Sequence, residues 1–260
     1  MAVDLIFGNS HTIAFVKGHQ LAASKGELSH DLCRASFDGE QYQPEIAFTP
    51  DGARLHPAII EGLRARIAEL KPTCLIAGAI GSFTWTEAMS MHERPFDFWV
   101  PALPEHPPSS ALELIPYDLM MRHCRAGMDW QLALVRAVQC HSNLPIFHIE
   151  APPPVENSEM MERHARMHAP TWGKMQKFGS TSASFRFKVW WAWTAAAREW
   201  CTRLGIHFIT APEETRDSLG FLQERYFADG IHGNDEYGRL MVHQVEKAKQ
   251  RFGVGQSADG

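Results

Sequence analysis

The sequence predicts an α/β protein: a three-layer α/β/α sandwich built on a flavodoxin-like, mostly parallel sheet. Short apolar runs at Val3 to Phe7, Thr73 to Ala77, Pro145 to Ile149 and Ile206 to Thr210 each end in small or polar residues, the pattern of strands buried on both faces. Helical periodicities lie between these runs, and parallel neighbours need crossovers that are mostly helical. The chain has 260 residues, 45% apolar and 21% charged, enough to bury a sizeable core and too hydrophobic for disorder.

The first strand, Val3 to Phe7, turns sharply at Gly8-Asn9 into a helical pattern over Ser10 to Ser24. A second strand falls between Leu28 and Phe48, where Asp38-Gly39 and Gln43-Pro44 break the stretch into pieces. Pro57 to Leu70 reads as an amphipathic helix. Its Ile60, Leu63, Ile67 and Leu70 recur at spacings of 3, 4 and 3, Arg64, Arg66 and Glu69 make the wet face, and Pro72 blocks continuation. After the third strand the chain is irregular from Trp85 to Pro116, a stretch with six prolines. A helix at Asp129 to His141 leads to the fourth strand, and a second irregular stretch runs from Ala151 to Ala183. Long loops leaving strand ends are the expected walls of a ligand crevice in an open α/β sheet. The helix at Ser184 to Leu204 crowds Trp190, Trp191, Trp193 and Trp200. Its stripe of Phe187, Trp190, Ala197 and Cys201 reads as core, and rings on its other faces either cover a site or join two subunits into a homo-oligomer. The last helix, Asp235 to Phe252, carries a stripe of Tyr237, Met241, Val245, Ala248 and Phe252. One domain over residues 1–252 is expected, with a fraying tail at 253–260.

Composition narrows the function. Twenty-five Lys and Arg against 30 Asp and Glu give a formal charge of −5, a poor match to a phosphate backbone, so nucleic acid is not an expected partner. Apolar runs such as Leu75 to Ile80 fall far short of the roughly 20 residues of a membrane span. The amino terminus has an acid, Asp4, where a signal peptide carries basic residues. Five cysteines, Cys33, Cys74, Cys124, Cys140 and Cys201, are scattered and form no C-x-x-C pair. That argues against a disulfide framework and a thiolate zinc site, and leaves a reducing cytoplasm as the expected compartment. His164 and His168, four apart, lack both the glutamate of H-E-x-x-H and a third ligand, so no metal is assigned. Gly78 and Gly81 lack the spacing of a dinucleotide or Walker loop, and no cofactor is expected.

Ser10 stands where the first strand ends and a helix starts. A serine there has two uses. Its hydroxyl caps the helix, or it is a nucleophile on a tight turn, with backbone N–H groups at the helix start holding an oxyanion. Near the other end of the chain, Asp229 and His232 are three apart on a loop before the last helix. A carboxylate that close accepts the imidazole Nδ1–H, fixes the tautomer and leaves Nε2 to take a proton from a serine. The spacing alone occurs by chance in a chain with 14 histidines, and its other reading is a turn that caps the last helix. Trp85, Phe96, Phe98 and Trp99, in the loop after the third strand, either line an acyl or sugar pocket or pack as core or lid.

A serine just after the first strand, together with Asp-x-x-His just before the final helix, resembles the SGNH hydrolases, also called GDSL-type esterases. The resemblance spans nearly the whole chain, from Leu5 to Leu240. It implies Ser10 as nucleophile, His232 as general base and then acid, and Asp229 as the residue orienting that histidine. The usual Gly-Asp-Ser reads Gly8-Asn9-Ser10, a change that leaves the triad intact. The family completes its oxyanion hole, begun by the serine N–H, with a glycine N–H from a second block and an asparagine side chain from a third. Gly39 is the candidate for the glycine. The third block reads Ala79-Ile80-Gly81-Ser82-Phe83-Thr84-Trp85 and holds no asparagine, so Ser82, Thr84 or a backbone N–H near Gly81 has to substitute. The resemblance implies hydrolysis of a small-molecule carboxylic ester, lipid, aryl or sugar-linked, through an acyl-serine. The missing asparagine keeps open a non-catalytic ligand- or carbohydrate-binding protein on the same scaffold. An O-acyltransferase, with a sugar hydroxyl as acceptor, is the other alternative.

Overall fold

The computed structural model describes residues 2–8, 10–35, 46–49, 52–78, 88–131, 133–166, 169–229 and 231–254. In chain order the elements are β1 (Val3–Gly8), α1 (His11–Ser24), β2 (Asp31–Arg34), β3 (Ile46–Thr49), β4 (Gly52–Leu55), α2 (Pro57–Leu70), β5 (Leu75–Gly78), β6 (Phe96–Phe98), β7 (Glu113–Ile115), α3 (Tyr117–Gln131), α4 (Ala133–His141), β8 (Ile146–Ile149), α5 (Ser158–Ala165), α6 (Ala169–Phe178), α7 (Ala183–Arg203), β9 (His207–Ile209), β10 (Phe227–Asp229), β11 (His232–Gly233) and α8 (Asp235–Arg251).

Strands β2, β1, β5, β8 and β9 bond in that spatial order into one parallel sheet. Counting only these five, the order is the 2-1-3-4-5 of flavodoxin-like folds, as the sequence predicts. Side chains alternate across a pleated strand, so a strand covered on both faces must be apolar along its length. On one face Ile6, Ile76, Phe147 and Ile149 meet Phe15 of α1 and Met241 and Val245 of α8. On the other, Leu5, Phe7, Leu75 and Ile146 pack with residues of α2, α3, α4 and α7. The result is a three-layer sandwich.

Several elements differ from the sequence reading. The second strand is only Asp31–Arg34, and a separate antiparallel hairpin, β3 and β4, follows it. Strands of four residues are too short to show a period. The stretch expected as one helix from Asp129 to His141 is the end of α3 and the whole of α4, and α3 begins at Tyr117, where the Pro116 carbonyl accepts the Leu119 and Met120 N–H groups. The stretch read as irregular up to Pro116 contains β6 and β7, paired in parallel, and the one from Ala151 contains α5 and α6. The latter bury methionines, Met161 and Met175 against Met89, whose weak patterning hid two short helices. Phe252 lies past the end of α8, 48% exposed and stacked on His207, so it is not part of the buried stripe that Tyr237, Met241 and Val245 form. The tryptophans of α7 are mostly core: Trp190, Trp193 and Trp200 are buried. Most of the tail, from residue 255, lies outside the described residues.

Two features position the site. First, both long connections are tied to α7. Lys188, fully buried, donates to Asp97 Oδ1 at 2.6 Å, and Asp97 also accepts the N–H groups of Phe98 and Ser109. Arg186, also buried, donates to the carbonyls of Thr181, Val155 and Glu156. Buried cations persist only when paired or bonded in this way. Second, α1 and α8 cross at a glycine contact. A Cβ on Gly18 would fall 2.1 Å from the Gly238 carbonyl carbon, and one on Gly238 would fall 1.8 Å from the Ala14 oxygen. No larger residue at either place lets the first and last helices lie this close.

Candidate active site

The chain leaves β1 toward the β2 edge and builds the rest of the sheet on the β5 side, so the carboxyl ends of β1 and β5 mark the topological switch point, where open α/β sheets bind ligands. Gly8 and Gly78 face each other there in register. Gly8 has a φ of +135°, and a Cβ on it would lie 2.3 Å from the Gly78 oxygen; a Cβ on Gly78 would lie 2.1 Å from Thr12 Cγ2. The two glycines let the first turn of α1 sit directly against the end of β5.

Ser10 occupies the N-cap position of α1 but makes no capping bond with its side chain. Its exposed hydroxyl lies 2.7 Å from His232 Nε2, so of the two uses open to it in the sequence, capping is not the one its side chain makes. The imidazole reaches it from the far end of the chain, 222 positions away. There β10 and β11 form an antiparallel pair with Asp229 opposite His232, and His232 Nδ1 lies 2.5 Å from Asp229 Oδ1. The Ile231 N–H donates to the Asp229 carbonyl and closes the turn. With Nδ1 turned to the carboxylate, Nε2 is the nitrogen left to accept the serine proton.

What locks this hairpin to α8 is Asn234, not the Asp-x-x-His segment. Asn234 Oδ1 caps the helix by accepting the Glu236 and Tyr237 N–H groups, while its own N–H donates to the Tyr226 carbonyl and Nδ2 to the Arg225 carbonyl. The glycine crossing then lays α8 on α1, and with it His232 on Ser10.

Around the three residues the burial is graded. Ser10 is open, the Asp229 side chain is 41% exposed and the His232 side chain 19%. His11, the residue after Ser10, is buried, with its ring centroid 4.7 Å from that of His232 at a tilt of 56°. Burial pushes the His11 pKa down to about 3, with the nearby His232 adding to the effect. Below these rings a small pocket is lined by His11, Glu150, Gly233 and Tyr237. Glu150 is fully buried, which raises its pKa, and it accepts hydrogen bonds from the Ala211 N–H and Arg216 Nη2.

The other residues singled out in the sequence fare differently. Gly39, Gly81, Ser82, Thr84 and Trp85 lie outside the described residues. Phe96 packs edge-on against Phe185 at 5.7 Å. Phe98 is core, and Trp99 is 52% exposed. His164 belongs to α5, and His168 lies outside the described residues. Among the described residues, Asp4, His30 and Glu246 bring metal-ligand types within 4.8 Å of one another, at the amino edge of the sheet, opposite Ser10. Lys249 Nζ, however, is 2.6 Å from Asp4 Oδ2 and 3.0 Å from Glu246 Oε1, so an ammonium already sits among the carboxylates. Burial alone would raise the Asp4 pKa, but hydrogen bonds from His30, Lys249 and Thr73 hold it well below the usual carboxylate range. A groove of about 620 Å³ on α3 and α7, lined by Arg125, Trp191, Arg198 and Arg203, contains none of the three catalytic candidates. Among the described residues no helix is long and apolar enough to cross a membrane.

No protein-family model matches the sequence, and no curated protein matches it either. Solved structures do share the fold. The periplasmic domain of a lipopolysaccharide acetyltransferase from Salmonella ser. Paratyphi A superposes with a TM-score of 0.51 at 11% identity, over 95% of this chain and 83% of that one. A GDSL-like lipase from Bacteroides thetaiotaomicron gives 0.49 at 12% identity, over 96% and 88%. The likeness is one of fold, a layered α/β/α architecture.

Proposed function

We propose that the protein is a serine hydrolase of carboxylic esters, with Ser10 as nucleophile, His232 as general base and acid, and Asp229 as the residue that orients His232. One observation carries this reading: an unbroken line of hydrogen bonds, Asp229 to His232 to Ser10, at the switch point of the sheet. A structural histidine has no need to meet both a carboxylate and an exposed serine hydroxyl, whereas acyl transfer needs that pair of contacts.

In this reading Ser10 Oγ attacks the ester carbonyl while its proton passes to His232 Nε2. The resulting imidazolium is stabilised by the Asp229 carboxylate, and the oxyanion meets the Ser10 N–H at the positive end of α1. The tetrahedral adduct collapses, the C–O bond breaks, and the departing alcohol takes the proton from His232. A water molecule then attacks the acyl-serine, giving its proton to His232, and collapse returns that proton to Ser10 and frees the acid. His11, held neutral by burial, does not compete for the proton at neutral pH.

Turnover of p-nitrophenyl acetate tests the proposal. Wild type is expected to hydrolyse it in a way that Ser10→Ala and His232→Ala both abolish; unchanged turnover in Ser10→Ala would overturn the reading.

A further inference from the structure

His232 is held by hydrogen bonds at both ring nitrogens, but its ring hangs from the backbone by the Cβ–Cγ bond. Rotation about that bond carries Nε2 away from the Ser10 hydroxyl and Nδ1 away from Asp229. The side that blocks it is occupied by His11, whose ring stands 4.7 Å from that of His232, tilted by 56°. His11 has little room to give way. It is only 5% exposed, and it follows Ser10 directly in the first turn of α1.

We propose that His11 is a positioning residue: a flat ring that fixes the plane of the His232 imidazole so that Nε2 points at Ser10 Oγ. This rests on the reading of Ser10, His232 and Asp229 as a triad, and it assigns His11 no contact with substrate. Because burial keeps His11 neutral until about pH 3, the plate carries no charge when His232 takes up the serine proton, and the two rings do not repel.

The experiment compares wild type with His11→Ala, His11→Leu and His11→Phe, by p-nitrophenyl acetate kinetics and by the low-field proton resonance of the His232–Asp229 hydrogen bond. Misplacing a catalytic group by about 1 Å costs up to roughly 100-fold, so His11→Ala is expected to lower kcat about 10- to 100-fold with KM changed less than about twofold. The low-field resonance should broaden with it. His11→Leu, which fills the space without a flat ring, should behave like His11→Ala and gives the comparison if the alanine variant does not fold. His11→Phe keeps a plate in place and should return kcat to within about threefold of wild type. Full activity and a sharp resonance in His11→Ala or His11→Leu would overturn the inference, as would a His11→Phe as slow as His11→Leu. Wild-type protein without Ser10-dependent turnover would instead overturn the triad reading.

Discussion

Acid should destabilise this fold before its carboxylates are protonated, because two histidines are buried as neutral rings. His148 on β8 and His11 on α1 are buried, and burial moves the pKa of each from 6.5 to about 3. In the unfolded chain these rings bind a proton as pH falls through 6.5, whereas in the folded chain they do not until about 3. Between those values the unfolded state holds more protons, so stability falls as pH falls through that window and the loss is complete below it. At pH 5, about 1.5 units below the unfolded value and at about 1.36 kcal/mol per unit, each ring costs on the order of 2 kcal/mol. His148 is the cleaner probe. Its ring stacks on Phe208 at 5.6 Å, and neither nitrogen has a hydrogen-bond partner among the described residues, so His148→Leu breaks no bond. Urea unfolding at pH 7 and pH 5 reads the effect: wild type should lose about 2 kcal/mol more between the two than His148→Leu does. At pH 7 the variant should be at least as stable, since a desolvated polar ring has been replaced by an apolar side chain. Glu150, whose pKa burial raises, pulls in the opposite direction but equally in both proteins. Equal acid losses in the two would refute the reasoning.

Other outcomes follow from the same structure. Lys188→Met leaves the Asp97 carboxylate buried without its cation and should cost about 3–5 kcal/mol, or roughly 6–20 °C in thermal midpoint. Adding Asp97→Asn, which needs no counter-charge, should recover part of it, and a double variant as unstable as the single would contradict the pairing. Gly238→Ala places a methyl 1.8 Å from the Ala14 oxygen, so the α1 and α8 helices must separate, with a loss of stability. We expect that loss to be about 1–3 kcal/mol, accompanied by a fall in the proposed p-nitrophenyl acetate turnover that Leu240→Ala, further along the same helix, does not share. In Asp229→Asn the imidazole is offered the wrong tautomer, and kcat should drop by about 10⁴-fold, as in serine proteases with this arrangement; a drop of less than tenfold in steady-state kinetics would remove Asp229 from the mechanism.

The layers were legible because β1, β5 and β8 are short apolar runs separated by helices, and both-face burial leaves few other readings of such runs. Ser10, Asp229 and His232 were legible as residue types at a strand end and a helix start. What brings them together was not. Gly18 and Gly238 sit inside helical patterns at a propensity cost of about 1 kcal/mol each, and that misplaced flexibility was the available signal for a close helix crossing. Asn234 before Asp235 and Glu236 has the marks of an N-cap, an asparagine followed by acids in the first turn. His11 gave no signal at all, since its role comes from a ring that only the fold places beside it. The helix start at Tyr117 was not read from the sequence, although a proline just before a helix is well placed to open it. Lys188 and Arg186 of α7 are both buried, which the sequence did not show because their partners come from loops that follow no periodicity.

Whether Ser10 carries the acyl group is read most directly by intact-protein mass spectrometry after treatment with a fluorophosphonate ester, followed by peptide mapping of the adduct. One phosphonyl group on Ser10, absent from Ser10→Ala and formed far more slowly in His232→Ala, is the expected result. An unmodified wild-type protein, or an adduct on another residue that persists in Ser10→Ala, would contradict the assignment of this hydroxyl as the nucleophile.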